Sequence, residues 1–315
     1  MQNPQKSVVI TGASSGIGRA SVEWMSQAGW QVFATVRKPA DQDKLRSEGW
    51  ENVVPVLMDV EDAATISAAA QEIESQLGGR GLDGLVNCAG IGVARPVEYA
   101  TLDDIRQIFE INVFGQVALT QSLSRLLRKN RGRIINITSI GVNIAIPFGG
   151  LLNSSKSAFG MLSDSLRLEL HPFGVRVIAI EPGAISTPAV EKTLGDIERV
   201  IQNLPAEAQL QYGEMLRNFG RQAYAREKSG SSPDVVARAV HHALTSNRPR
   251  IRYRVGKHAK LLSTLPKLLP ESVLDILRIQ MFGLKAPSAG RREGQPRKEN
   301  RGGAVPLRPS PVNPK

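Results

Sequence analysis

One stretch near the start of the chain constrains its fold more than any other. Thr11-Gly12-Ala13-Ser14-Ser15-Gly16-Ile17-Gly18 follows the short apolar run Ser7-Val8-Val9-Ile10 and precedes the helical pattern Ala20, Val22, Trp24, Met25, Ala28, which stops at Gly29. Strand, glycine-rich turn and helix therefore fill the beginning of the chain. Gly12 permits a tight turn, Gly16 a close approach of backbone to phosphate, and Gly18 close packing of helix on strand. The helix N-terminus favours an anionic pyrophosphate. Alone, such a loop is only a turn; between a strand and a helix it is read as nucleotide-binding, with Ser14, Ser15 and Ile17 completing the candidate loop.

The alternation continues with no internal repeat. Residues 31–35, 53–57, 84–86, 133–138, 175–180 and 250–255 read as strands; 65–77, 102–127, 154–170 and 235–244 read as helices. Short β-branched strands between helices of ten or more residues predict an α/β fold: a doubly wound, Rossmann-type parallel sheet covered on both faces. Ligands of such sheets lie at the carboxyl ends of the strands.

Composition then limits the function classes. The single Cys88 excludes an intrachain disulfide framework and points to a reducing compartment or to indifference about compartment; a cytoplasmic setting is expected. No apolar run reaches the length of a membrane-spanning helix, and the polar residues 1–6 do not read as a signal peptide. The net charge is +11, of which residues 285–315 carry +6 from eight Lys or Arg and two Glu. With six Pro, four Gly and almost no large apolar residue, that segment cannot offset its ordering entropy and reads as a disordered basic tail. The tail is either merely solubilising or a contact for anionic lipid, nucleic acid or an acidic partner. The organisation expected is one domain over 1–284, a lid at about 188–232, and the tail 285–315. With no nucleic-acid module and few aromatics, no specific nucleic-acid partner is expected. His171, His241, His242, His258 and Cys88 have no ligand spacing, so no metal site is expected.

Over residues 6–190 the sequence resembles the short-chain dehydrogenases/reductases. The spacing T-G-x-x-x-G-x-G is that family's cofactor loop. Asp59-Val60 is similar to its adenine-contacting pair, and Asn87-Cys88-Ala89-Gly90 to the turn beside the cofactor ribose. Asn112 in Ile111-Asn112-Val113-Phe114-Gly115 matches its helix asparagine, Ser139 its catalytic serine and Lys156 its catalytic lysine. Pro182-Gly183 followed by Thr187 resembles the segment whose threonine holds the nicotinamide carboxamide. The resemblance implies nicotinamide binding, hydride transfer and a homo-oligomer. Pro147-Phe148-Gly149-Gly150 and Asp164-Ser165-Leu166-Arg167-Leu168-Glu169-Leu170 also resemble the branch acting on steroids and retinoids, which implies a lipophilic substrate.

One position departs from the pattern. The family signature is Y-x-x-x-K, yet Leu152 stands four residues before Lys156. In the family the phenol exchanges a proton with the substrate oxygen, the lysine lowers the phenol's pKa and binds ribose, and the serine holds the substrate oxygen. Loss of such a general acid removes about 10²- to 10⁴-fold in rate. Three readings stay open: an oxidoreductase whose carbonyl or activated double-bond substrate needs no phenol, a silent cofactor-binding partner or sensor, and an offset in which Tyr212 or Tyr253 reaches in.

Cofactor choice is read from Ala34-Thr35-Val36-Arg37-Lys38. No acid ends the second strand to bind a ribose 2′-hydroxyl, and Arg37 with Lys38 suits a 2′-phosphate, so NADP(H) is expected. Beyond Thr187, Leu194, Ile197, Val200, Leu204, Leu210, Met215, Leu216 and Phe219 recur at near-helical spacing, as an apolar lid or as core. Near the end, Arg248, Arg250, Arg252, Arg254, Lys257 and Lys260 precede an apolar stretch interrupted by Pro266 and Pro270, followed by an apolar helix at 272–282. Packing against the body is expected there, with weak contact to an anionic membrane surface as the alternative.

Overall fold

The computed structural model describes residues 5–284; the tail expected at 285–315 lies outside the described residues. Seven strands form the sheet: β1 (Ser7–Ile10), β2 (Gln31–Val36), β3 (Val53–Leu57), β4 (Gly84–Asn87), β5 (Arg133–Ile137), β6 (Arg176–Pro182) and β7 (Arg252–Val255). All pair in parallel, in the order β3-β2-β1-β4-β5-β6-β7. The order reverses between β1 and β4, which places a crevice at the carboxyl ends of those two strands.

Strand alternation builds two cores. Val8 and Ile10 face one side of the sheet with Ile135, Ile137, Ile178 and Ile180, whereas Val9, Ile134 and Val177 face the other. On the first side α1 (Gly16–Gln27) packs beside α10 (Asp234–Thr245), burying Val22, Met25, Val236 and Val240. On the second, α3 (Ala63–Leu77) packs on α5 (Gly115–Asn130) through Ile66, Ile73, Leu119 and Leu123. Full burial of each such side chain contributes about 1.5–3 kcal/mol. A short α2 (Pro39–Ser47), opened by its proline, links β2 to β3 and carries no hydrophobic periodicity that could have announced it.

The expected single helix over 102–127 is broken. It is α4 (Leu102–Phe109), a π-helical turn at Glu110–Phe114, and α5. The extra residue in the turn lets Asn112 face inward, where it has no exposed surface. Gly115 then lies against β3's following loop so closely that a Cβ there would collide with the Val60 carbonyl. The expected helix at 154–170 begins earlier, as α6 (Gly150–Glu169), so position 152 lies in its first turn.

The lid region is three helices, α7 (Pro188–Leu194), α8 (Ile197–Gln202) and α9 (Ala206–Lys228). Leu204, Leu216 and Phe219 are buried there with Phe148, whereas Leu210 is exposed. The Pro266 interruption does not stop α11 (Ala259–Leu268), which packs on the turn Ile140–Asn143 and on β7; α12 (Glu271–Phe282) follows. Among the described residues no helix is long and apolar enough to cross a membrane, and no group of His, Cys, Asp and Glu could hold a metal.

Candidate active site

The glycine-rich turn is shaped by backbone constraints. Gly12 and Gly16 adopt φ of +67° and +57°, conformations that side chains oppose. A Cβ on Gly12 would lie 3.0 Å from Ala89 Cα, and one on Gly18 would collide with the Gly12 carbonyl oxygen. Thr11 joins β1 to β4 across the crevice, its Oγ1 accepting from the Cys88 and Ala89 amides at 2.8 and 2.9 Å. Ser14 and Ser15 are half-buried beside the start of α1, and Ser15 makes no capping bond to the helix. A side-chain-free cradle with uncapped helix amides fits a pyrophosphate. Thr187 stands over it: a Cβ on Gly16 would lie 3.3 Å from Thr187 Cβ.

A buried polar ladder fixes the strand ends next to this cradle. Asn87 donates to Thr120 Oγ1 at 3.1 Å and to Asn136 Oδ1 at 2.9 Å, and Asn136 donates to Ser163 Oγ at 2.8 Å. Gln116 donates to the Ala89 carbonyl at 3.2 Å. Asn112 accepts from the Ile91 amide at 2.8 Å and donates to the Ile91 carbonyl at 2.9 Å and to Ser155 Oγ at 3.0 Å. These bonds tie the loop after β4 to α6, each contributing roughly 1 kcal/mol and each costly to leave unmade in the interior.

Lys156 projects from α6 to the end of β5. Its Nζ donates to the Ile137 carbonyl at 2.9 Å, and burial pushes its ammonium down to about 8, opposed by nearby Cys88. Burial pushes the Cys88 thiol up to about 12, away from the thiolate. Gly90 makes room for the lysine, since a Cβ there would lie 3.3 Å from Nζ and 3.1 Å from Asn112 Oδ1. Ser139 is half-buried and its Oγ accepts from the Gly141 amide at 3.0 Å. Asn153 turns towards that same segment, donating to the Ile144 carbonyl at 3.0 Å.

Leu152 occupies the α6 face of Lys156, one turn earlier. Its Cδ2 lies 3.2 Å from where a Cβ on Gly92 would stand, next to Thr193 of α7. The four tyrosine hydroxyls are engaged elsewhere: Tyr99 donates to Gln211, Tyr212 to Glu98 and Tyr224 to Glu191, while Tyr253 meets His242 Nδ1 at 2.8 Å. In this structure neither Tyr212, bonded to Glu98, nor Tyr253, bonded to His242 of α10, makes a hydrogen bond to Lys156 or Ser139.

Arg37 and Lys38 are exposed on the loop after β2. Arg37 Nη1 lies 3.9 Å from Glu61 Oε2. Asp59 accepts from the Glu61 amide at 3.1 Å, and Val60 is buried. Burial, with Asp59 and Glu110 beside it, raises the Glu61 carboxyl above its ordinary range, and Arg37 opposes the shift. The sequence reading sought an acid only at the end of β2; the fold brings one from the loop after β3. Pro182 closes β6, Gly183 is wedged against the Lys257 carbonyl, and Glu227 of α9 accepts from the Ile185 amide at 3.3 Å, fastening the segment that leads to Thr187.

The model of the short chain dehydrogenase family matches residues 6–197. This chain belongs to the short-chain dehydrogenases. Retinol dehydrogenase 5 of Homo sapiens is 35% identical over 276 residues, covering 85% of this chain and 86% of the relative. 17-beta-hydroxysteroid dehydrogenase type 6 of Rattus norvegicus is 33% identical over 277 residues, covering 86% and 87%. Among solved structures, a short chain dehydrogenase/reductase from Burkholderia phymatum in complex with NAD superposes with a TM-score of 0.69 at 25% identity, over 87% of this chain and 95% of that one. A short chain dehydrogenase from Burkholderia cenocepacia in complex with NADP gives 0.66 at 25% identity, over 89% and 99%. Short-chain dehydrogenases of this fold thus include binders of either nucleotide. The chain is an oxidoreductase-family member in which Gly12 lies against Ala89, and Asn112 and Lys156 meet around the neighbouring Gly90.

Sequence reasoning missed four residues of this crevice. Gln116, Asn136 and Thr120 are polar residues inside apolar patterns, a signal that marks a buried network when several occur together. Phe148, packed in the cluster under the lid, carries no such local signal. It adopts φ +60°, held by edge contacts to Phe219 at 5.3 Å and Tyr212 at 6.2 Å between ring centroids.

Proposed function

We propose that the protein is an NADP(H)-dependent oxidoreductase acting by hydride transfer on a hydrophobic carbonyl or alcohol, or on an activated double bond, with a proton relay altered at Leu152. The observation that carries this reading is Lys156, a buried ammonium retained at the end of β5 beside Ser139 and Asn112 although its phenol partner is missing. When bound, the nicotinamide supplies or accepts the hydride.

The chain's own residues divide the remaining work. Gly12, Gly16, Gly18 and the N-terminus of α1 hold the pyrophosphate, with Ser14, Ser15 and Ile17 at its edge. Arg37 and Lys38 receive the 2′-phosphate, Asp59 and Val60 the adenine, and Asn87, Ala89 and Gly90 border the ribose. Pro182, Gly183 and Thr187 orient the carboxamide. Lys156 binds ribose and polarises the site, Ser139 Oγ positions the substrate oxygen, and Asn112 braces the loop behind both. Leu152 neither donates nor accepts a proton, so proton delivery falls to Ser139, Lys156 and solvent. The names of the retinol and hydroxysteroid dehydrogenase relatives support a lipophilic substrate, as does the apolar cluster of Phe148, Leu204, Leu216 and Phe219 under the lid.

A second reading is a catalytically silent NADP(H)-binding partner or sensor. Leu152 itself favours it, since its side chain packs towards Gly92 and Thr193 where a reacting group is expected. Exposed Phe114 and Met161 support a homo-oligomer, and exposed Leu261, Leu268, Ile276 and Ile279 near Lys257, Lys260 and Lys267 support weak peripheral membrane contact. The test is direct: dissociation constants for NADPH and NADH, then NADPH oxidation with lipophilic ketones, enones and imines. Tighter NADH binding would reject the cofactor assignment; tight NADPH binding with no turnover would favour the silent partner.

A further inference from the structure

The four arginines from Arg248 to Arg254 separate into two groups in the fold. Arg252 and Arg254 on β7 both bond Glu181, a carboxylate with no exposed surface, and Arg252 also meets Asp164 at 2.7 Å. Those two are internal counter-ions that hold the edge strand. Arg248 and Arg250 precede β7, and their side chains make no hydrogen bond or ion pair among the described residues.

Arg248 and Arg250 instead join Arg167 and Arg176 around a cleft of about 470 Å³ at the N-terminal ends of β6 and β7, with His171 beside them. No carboxylate lines it. Asp164, 3.6 Å from Arg167, is already bonded more closely to Arg252, and the buried Nε of Arg167 has no partner among the described residues. Helix C-termini gather at this edge of an α/β sheet, and a basic residue on their carbonyls needs no ligand. That accounts for one amino group of Arg176, which donates to the Asn247 carbonyl at 3.0 Å, but for neither Arg248 nor Arg250. Like charge is concentrated enough there that burial and Arg176 together lower the affinity of Arg133 for its proton. Between the guanidinium groups, Leu168 and Ile251 expose large apolar surfaces.

We propose that this cleft is a second binding site, taking a phosphate-bearing ligand through Arg167, Arg176, Arg248 and Arg250 and its apolar portion against Leu168 and Ile251. Several guanidinium forks around one concavity match the acceptor oxygens of a phosphoryl group better than the two of a carboxylate. The site is separate from the cofactor crevice, since β6 runs its seven residues between them, roughly 20 Å. It does not depend on the reading of Leu152.

The test titrates phenyl phosphate into full-length protein holding one equivalent of NADPH per chain, so that the crevice is filled with no free NADPH to compete at the cleft, and compares the native protein with Arg248→Gln/Arg250→Gln. Both side chains are exposed and unbonded, so the variant keeps the fold. One phenyl phosphate site is expected, weakened at least about tenfold in the variant, while the dissociation constant for NADPH stays the same. Sedimentation with phosphatidylcholine vesicles, with and without phosphatidic acid, separates the sources. Capture of native protein over the variant by phosphatidic acid identifies a lipid headgroup; equal capture, with phenyl phosphate still discriminating, identifies a soluble phosphate. Failure of phenyl phosphate to bind, or equal binding to native and variant, overturns the proposal.

Discussion

Leu152 and Lys156 stand one helical turn apart on α6, and their side chains serve different surroundings. Lys156 Nζ reaches the Ile137 carbonyl at 2.9 Å from a buried position, whereas Leu152 packs towards Gly92 and Thr193. An ammonium that is desolvated and held at the end of β5 is expensive to keep for packing alone. On the function proposed above, that ammonium holds an anionic or hydroxyl-rich ligand and raises the local potential where a substrate oxygen gains charge.

The pH dependence of stability follows from that burial. The ammonium titrates at 10.5 in its ordinary state and at about 8 in the fold. Between those values the unfolded chain binds the extra proton, so this group's penalty is full below about pH 8 and is relieved as pH rises. Denaturant unfolding should therefore show the native protein gaining stability relative to Lys156→Met between about pH 7 and about pH 10. A gap independent of pH would mean that the lysine is solvated.

Gly18→Ala should damage the cradle, because its Cβ meets the Gly12 carbonyl and the strand–turn–helix junction must open. Overpacking of this kind costs about 1–3 kcal/mol of stability. NADPH affinity, measured by fluorescence titration, should fall at least about tenfold if the turn holds the pyrophosphate. Unchanged affinity in a destabilised variant would show the turn to be structural only.

Glu61 competes for Arg37 across 3.9 Å. Glu61→Gln should tighten NADPH binding severalfold and leave NADH binding nearly unchanged, while Arg37→Ala should weaken NADPH selectively. Loss of affinity for both nucleotides in Arg37→Ala would assign the arginine to general packing of the loop.

Buried Glu181 offers a stability prediction away from the crevice. It is the shared counter-ion of Arg252 and Arg254, so Glu181→Ala should destabilise the fold by about 3–5 kcal/mol, measured by denaturant unfolding. A loss below about 1 kcal/mol would mean that solvent or Asp164 already satisfies both arginines.

Much of this fold was legible because its signals are local. Ser7–Ile10, the glycine turn and α1 are adjacent in sequence, and strands such as Arg133–Ile137 are short β-branched runs between helices. The break at Glu110–Phe114 was not legible, since a π-helical turn leaves the apolar periodicity nearly intact and is set by the close approach of Gly115 to Val60. Glu61 was missed for a topological reason: β3 pairs beside β2, so an acid distant in sequence arrives next to Arg37. Asn112, Ser139 and Lys156 were singled out by resemblance, but the partners of the four tyrosine hydroxyls are set by tertiary contacts between residues distant in sequence.

The proposed hydride-transfer function makes the side chain at position 152 the limit on turnover. The most direct measurement is NADPH oxidation with a panel of lipophilic ketones, enones and imines, comparing the native protein, Leu152→Tyr and Lys156→Ala, each with cofactor binding verified. The account predicts slow native turnover that Lys156→Ala abolishes, and ketone reduction faster by about 10²- to 10⁴-fold in Leu152→Tyr. Native turnover that survives Lys156→Ala, or a Leu152→Tyr variant that binds NADPH and reduces no ketone faster than the native protein, would contradict it.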